Sequence, residues 1–409
     1  MVRRPGVSAR YIVSGGGASL MGNSVAGVVM PLVLLSRTGD VLAAGCLALI
    51  CAVPQVLAGI LGGALLDRLN RRDVAVASDL VSAACVAALP VVDAVAGLSF
   101  GWFVLFGVLG AVGDVPGMTA RDTLLPAVAE RDRRDLQSFV GVQQTVESVV
   151  TVVGPAFAAI AMGAFGPINA LWITSGLSVL AVLAMLTVPR GVGGAHLPSR
   201  GKGRAPRLLL REALRDAGRG FSLLVRGDRL LLSSVALALL LVMAVGGFQG
   251  LVLPAYYSSM GTPELVGFVT SACSLGTLVG SLVYTRFALD LSRRLWYVLS
   301  FLGMSCGIAV IGLLPDLPLM IAGAAVLGFS AGPLAALLNF FVFDSVPEVD
   351  RGSVLGTQNA LYLAASPASM FLCSAMVTAF GLRAASLLLI ASWTALAVFA
   401  LSMKTMRRI

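Results

Sequence analysis

Apolar residues fill stretches of twenty or more positions along this chain, interrupted at short intervals by clusters of Arg, Asp, Gly and Pro. A helix rises about 1.5 Å per residue, so about 20 apolar residues cross a ~30 Å hydrocarbon core. Twelve such stretches fall at 11–36, 41–66, 74–97, 99–126, 136–164, 167–188, 230–257, 263–287, 294–314, 317–344, 353–380 and 382–404. None alternates with a period of two, and all exceed the roughly ten-residue strand of a membrane barrel. The pattern predicts an all-α membrane protein of twelve transmembrane helices. The first stretch follows Arg3, Arg4 and Arg10 and lacks a small-residue cleavage site, so it is expected to be retained as a span.

Composition agrees: 58% of the 409 residues are hydrophobic and 12% charged, against about 25% charged in a soluble domain. With both termini cytoplasmic, 27 of the 29 Lys and Arg fall inside and only Arg37 and Arg383 outside. The net charge of +9 is therefore a topology signal and a set of anionic-lipid contacts, not a nucleic-acid surface. All six cysteines lie within spans without CxxC spacing and read as small buried hydrophobes. His196 is the only histidine and sits in a loop, so no metal site, cofactor or enzyme chemistry is expected.

The long connection at 189–229 divides the chain into a six-helix bundle at 1–188 and a second at 230–409. Its start, PRGVGGAHLPSRGKGRA, is a Gly/Pro/Arg linker expected to be mobile. After Pro206, Leu210, Leu214, Ala217, Phe221 and Leu224 recur at helical spacing among arginines, which predicts an amphipathic helix at the cytoplasmic interface. The halves also resemble each other. VAERDRRDLQ at 128–137 matches VPEVDRGSVL at 346–355, an offset of 218 residues that also carries Gly110 onto Gly328. GALLDRLNRR is echoed by GSLVYTRFALDLSRR at 280–294. Two like-oriented repeats imply a central site reached alternately from either side.

Gly63, Leu65, Asp67, Arg68, Arg71 and Arg72 stand as G-x-L-x-D-R-x-x-R-R after the second span. This resembles the signature loop of the major facilitator superfamily, with Asn70 where the family usually has Gly; Asn is the next most tolerant residue of a left-handed turn. The resemblance implies that Asp67 latches near the start of span eleven and that Arg71 or Arg72 pairs with an acid at the cytoplasmic end of span four, for which Asp122 fits. LPAV at 125–128, Gly154-Pro155 in span five and LPAYYSSMGTPELVGF at 253–268 are similar to the drug and metabolite exporters of that superfamily, including macrolide-efflux and enterobactin-exporter-like proteins. Val150, Ala158 and Ala159 occupy places near Gly154-Pro155 where the family is glycine-rich. Gly22-Asn23 stands where these exporters often carry an acid, so no proton site is expected on span one.

Charge inside a span costs about 2.5–3.5 kcal/mol on insertion scales and needs a reason. Counted from the expected span ends, Asp114 lies ~18 Å deep and Glu147 ~16 Å, which places both at one level on adjacent helices. Gly107, Gly110, Asp114, Gly117 and Arg121 form one stripe, and Gln143 or Gln144, Glu147, Thr151, Gly154 and Ala158 another. Two carboxyls in an apolar interior resist joint ionisation, so Glu147 is read as the principal proton-coupling acid and Asp114 as the second. The alternative for both is a structural hydrogen bond or a pairing with Arg121. Asp79 and Arg121, at equal depth on spans three and four, are read as a structural ion pair. A mostly apolar cavity with Asn23, Phe248, Gln249, Asn339, Phe340, Gln358 and Asn359 suits a small amphipathic molecule. Tyr11, Trp102, Trp172, Tyr256, Tyr257, Trp296 and Tyr297 are read as interface anchors and Trp393 as packing.

These readings converge on a monomeric bacterial cell-membrane transporter that exports small amphipathic compounds in exchange for protons. An uptake permease or facilitator, and a non-transporting sensor or assembly factor on the same fold, are the alternatives. The absence of a Walker-type loop removes an ATP-driven pump from consideration.

Overall fold

A computed structural model of the chain describes residues 6–66, 69–193, 218–225, 229–288, 290–346 and 348–403. Helix α1 (Val7–Tyr11) runs through a π-helical segment (Ile12–Ser19) into α2 (Leu20–Thr38). Then come α3 (Val41–Leu66), α4 (Arg71–Ala96), α5 (Phe100–Arg131), α6 (Leu136–Phe165), α7 (Pro167–Leu186) and the short α8 (Arg190–Gly193). Past the connection lie α9 (Arg229–Gly247), a second π-helical segment (Phe248–Val252), α10 (Leu253–Ser259), α11 (Leu265–Phe287), α12 (Arg293–Gly312), α13 (Leu317–Ser345), α14 (Glu348–Phe380) and α15 (Leu382–Ser402). Among the described residues, twelve helices are long and apolar enough to cross a membrane. In the connection, residues 218–225 are helical; the rest of the expected amphipathic helix and of the linker lies outside the described residues.

Local chemistry sets the helix ends. Gly39, at φ 63°, closes α2 in the left-handed conformation and donates its N–H to Leu35 O. Asp135 and Ser292 cap α6 and α12 by accepting from Ser138 N and Leu295 N. Helix α5 continues through Pro116 and Pro126 to Arg131, five residues past the expected end. A proline inside a long span removes one backbone bond, which neighbouring helices tolerate.

The chain forms two compact units, Met1–Gly39 with Ile50–Ala213, and Asp40–Leu49 with Leu214–Ile409. The start of α3 thus belongs with the second unit, where Gly45 lets it run against Ser374 and Phe371 of α14. In the first unit α4 packs between α5 and α7, and α2 packs on α6. In the second unit α12 packs between α13 and α15, and α9 packs on α14. These equivalent spans therefore make the same pairings in each unit, a three-dimensional counterpart of the internal sequence repeat.

Candidate functional site

In the first unit α4 and α5 approach closely because Gly113 and Gly117 of α5 have no side chains. A Cβ on Gly117 would overlap the Ser78 hydroxyl, which donates to Gly113 O at 2.8 Å. This approach brings Asp79 of α4, 3% exposed, against Arg121 of α5, 6% exposed. They form an ion pair through Asp79 Oδ1 and Arg121 Nη2, as expected from their equal depth. Ser19, the last residue of the π-helical segment, donates to the same Oδ1 at 2.8 Å. Tyr11 donates its hydroxyl to the Arg121 carbonyl at 2.7 Å. Asp79 Oδ2 and Arg121 Nε are buried without a hydrogen-bond partner. Asp114, two turns before Arg121 on α5, is hydrogen-bonded with Ser82 and lies in the field of Arg121 and Asp79.

Glu147, half-buried on α6, accepts from Gln143 Nε2 and Gln144 Nε2, both at 3.1 Å. Its ionisable neighbours are Asp122 and Tyr11 rather than Asp114. This corrects the expected common level. Glu147 stands eleven residues from the start of α6 at Leu136, while α5 ends at Arg131, so the turn levels Glu147 with Ala120. Asp114 lies six residues further along, ~9 Å by the helical rise. The two stripes also face different helices: Gly117 and Arg121 face α4, whereas Gly154 lies against Ser24 and Met21 of α2.

Of the signature loop, Asp67 and Arg68 lie outside the described residues, and Gly63 sits near the end of α3. Asn70 departs from the expected left-handed turn. At φ −69° and ψ 117° it is the N-cap of α4, and its Oδ1 accepts from Arg72 N at 3.1 Å. Side-chain capping needs extended backbone at that residue, which displaces the turn geometry. Arg71 reaches α5 at the expected place but donates to Thr123 O at 3.2 Å, next to the exposed Asp122. Arg72 forks onto Leu186 O at 2.6 Å and Met185 O at 3.4 Å, at the end of α7, and pairs with Asp73 at 2.9 Å. The expected bond to Asp122 is thus replaced by backbone carbonyls, within α5 for Arg71 and at the end of α7 for Arg72, where the helix dipole attracts a guanidinium.

In the second unit Gln358 is 2% exposed; it donates to Tyr362 Oη at 2.5 Å and to Asn339 Oδ1 at 3.4 Å, while its own Oε1 has no partner. Asn339 and Asn359 are exposed, and Asn23 and Gln249 half-buried, Gln249 hydrogen-bonded with Cys273. Two expected pocket residues are engaged elsewhere. Phe248, 1% exposed, is packed inside the unit where the π-helical turn begins. Phe340 lies under the Arg293 guanidinium, 4.6 Å from its ring centroid, a cation–π contact near the end of α13.

The 218-residue offset relates Arg121 and Asp122 to Asn339 and Phe340. The cation of the buried ion pair in the first unit therefore has an uncharged counterpart in the second. The anchor reading also fails for four aromatics. Tyr11, Tyr257, Trp296 and Tyr297 are 1%, 2%, 7% and 2% exposed. Tyr297 donates to Ala400 O at 3.1 Å, so its position near a span end serves helix packing. Trp393 packs as expected, stacked on Phe301 and donating to Ser305 at 3.2 Å. Sequence reading missed Ser19, Ser82, Tyr362 and Arg293 as site neighbours. Only Arg293 left a signal, the repeated Arg-Arg pair at 293–294. Among the described residues no group of His, Cys, Asp and Glu could hold a metal ion.

The family model of the Major Facilitator Superfamily matches residues 12–248 and 235–408. The multidrug efflux pump Tap of Mycolicibacterium fortuitum is 31% identical over 397 residues, covering 95% of this chain and 93% of that protein. Tap of Mycobacterium tuberculosis (strain ATCC 25618 / H37Rv) is 30% identical over 377 residues, 90% of this chain and 86% of that protein. Macrolide efflux protein A of Streptococcus pyogenes is 20% identical over 376 residues, 91% and 90% of the two chains. Among solved structures, the nucleoside transporter NupG superimposes with a TM-score of 0.75 at 13% identity, covering 97% of this chain and 98% of that one. A bacterial homologue of the lysosomal transporter Spinster gives 0.71 at 13% identity, covering 98% and 96%. The twelve apolar helices, the repeated packing and these matches identify a multi-pass cell-membrane protein: the chain belongs to the Major Facilitator Superfamily of transporters.

Proposed function

We propose that this transporter exports small amphipathic organic molecules by alternating access, in exchange for protons, as a monomer with both termini cytoplasmic. The observation that carries export is the 31% identity to a multidrug efflux pump along 95% of the chain. Proton coupling draws support from the carboxylates. Among the described residues, those deep within spans (Asp79, Asp114 and Glu147) all lie in the first unit, and Glu147 is held only by neutral amide donors. A carboxyl without a cation partner exchanges a proton at lower cost than one in an ion pair. Glu147 is accordingly the principal coupling acid and Asp114 the second. Asn339, Gln358 and Asn359, with Asn23 and Gln249, supply polar contacts to substrate.

The test is growth inhibition by a panel of amphipathic antibiotics in an efflux-deficient bacterium expressing wild type, Glu147→Gln or Asp114→Asn at equal membrane levels. Wild type is expected to raise the inhibitory concentration several-fold for some compounds, Glu147→Gln to abolish the gain and Asp114→Asn to reduce it. Resistance unchanged in both variants overturns the coupling assignment. Increased sensitivity with wild type overturns export in favour of uptake.

A further inference from the structure

The ion pair between α4 and α5 is unbalanced. Among the described residues Arg121 is the one cation facing two carboxylates inside the spans, Asp79 and Asp114, with the exposed Asp122 also in its field, and both it and Asp79 retain a buried polar atom without a partner. Asp79 is buried and Asp114 half-buried, so a charge on either is costly unless it is neutralised. One guanidinium neutralises one carboxylate, and the other is then most cheaply accommodated with a proton on it. Asp79 holds Arg121 and accepts from Ser19, whereas Asp114 is hydrogen-bonded with the neutral Ser82.

Among the described residues, the other nearby charged groups have contacts of their own. From α4, Asp114 meets Asp79, Ser82 and Cys85. From α6, Glu147 faces Tyr11 and Asp122, and Tyr11 of α1 donates its hydroxyl to the Arg121 carbonyl. Arg37 of α2 is held by Asp93 at 2.5 Å, and Arg190 of α8 by Asp73 at 3.3 Å.

We infer that Asp79, Arg121 and Asp114 form one charge-sharing site, in which Asp114 carries a proton while Asp79 holds Arg121 and releases it when the guanidinium turns to Asp114. The unpartnered Nε–H of Arg121 is the donor available for that exchange. Asp114 gives its proton to water as it takes Arg121, and Asp79, left with the Ser19 hydroxyl alone, takes up a proton from water in its turn, with no other bond made or broken. Ser19 ends a π-helical segment, so the charge state reaches the first span. π turns recur at functional positions because their hydrogen-bond pattern is easily re-registered. The inference deepens the proton-exchange reading above, yet its test needs no substrate.

The experiment is infrared difference spectroscopy of full-length protein in lipid, following the C=O stretch of protonated carboxylic acids as pH rises from mildly acid to alkaline. Wild type is expected to show an acid band near neutral pH that is absent in Asp114→Asn, restored in Asp114→Glu and kept in Glu147→Gln beside the loss of any Glu147 band. Asp79→Asn leaves Arg121 to Asp114 alone and is expected to abolish the Asp114 band at the same pH. An unchanged band in Asp114→Asn, or no acid band in wild type, overturns the inference. A full Asp114 band in folded Asp79→Asn overturns the sharing of Arg121. If Asp79→Asn does not fold, the Asp114 pair of variants still decides where the proton resides. Loss of antibiotic resistance plays no part in any of these outcomes, so failure here and failure of the export reading are separable.

Discussion

At the turn between α5 and α6 one carboxylate joins two distant parts of the first unit. Asp132 accepts the Ser8 N–H at 2.7 Å, at the start of α1, where Gly6 leaves room: a Cβ there would stand 2.8 Å from Oδ2. Burial alone would raise this carboxyl, but bonds from the Ser8 side chain and the Ser8 and Val7 backbones, together with Arg134, hold it below the usual range. A lowered folded-state value means the stabilisation is complete above the ordinary carboxylate range, near pH 4, and is lost as pH falls through the folded value. Asp132→Asn is expected to cost about 0.3–1 kcal/mol at neutral pH. Thermal unfolding of the purified protein checks this: the difference from wild type should narrow in acid, and a constant difference overturns the electrostatic account. The repeat marked Asp132 through its match to Asp350, but its partner at Ser8 was invisible because it lies 124 positions away.

At the scale of elements, helix existence and approximate bounds were legible because apolar length is a local property. Helix contact was not. In the second unit α11 and α13 touch backbone to backbone: Gly276 lies against Ala325 O, Gly280 against Phe329 O, and Gly328 against Cys273 O. A Cβ at Gly328 would overlap that carbonyl oxygen, whereas at Gly141 of α6 it would meet nothing within 4 Å. Gly328→Ala is therefore expected to destabilise by about 1–3 kcal/mol or more through overpacking. Gly141→Ala is expected to stabilise by about 0.4–1 kcal/mol through helix propensity and lost unfolded-state entropy. Unfolding midpoints in one detergent compare them, and equal shifts would contradict the close approach. Gly110 and Gly328 match in sequence, yet Gly110 meets nothing within 4 Å. Repeat position alone does not tell a contact glycine from a free one.

At the scale of the whole molecule, the arginine distribution sets the expected topology. With the six native cysteines replaced, Asp40→Cys is expected to react with a membrane-impermeant maleimide in intact cells, and His196→Cys only after permeabilisation. The opposite pattern would reverse the orientation.

The number of spans, the two-fold repeat and the class of protein followed from composition and order alone, because lipid demands internally bonded apolar helices wherever the chain crosses. The Asp79–Arg121 pair was also legible, since two opposite charges at equal depth on neighbouring spans have strong reason to meet. Other matches required the folded chain. Glu147 faces Asp122 instead of Asp114, Arg72 caps α7 instead of meeting Asp122, and Phe340 covers Arg293 instead of a cavity. Each depends on where a helix really ends and how far it is rotated against its neighbour. A shift of one residue is about 1.5 Å and 100°, smaller than hydropathy resolves but enough to exchange one partner for another.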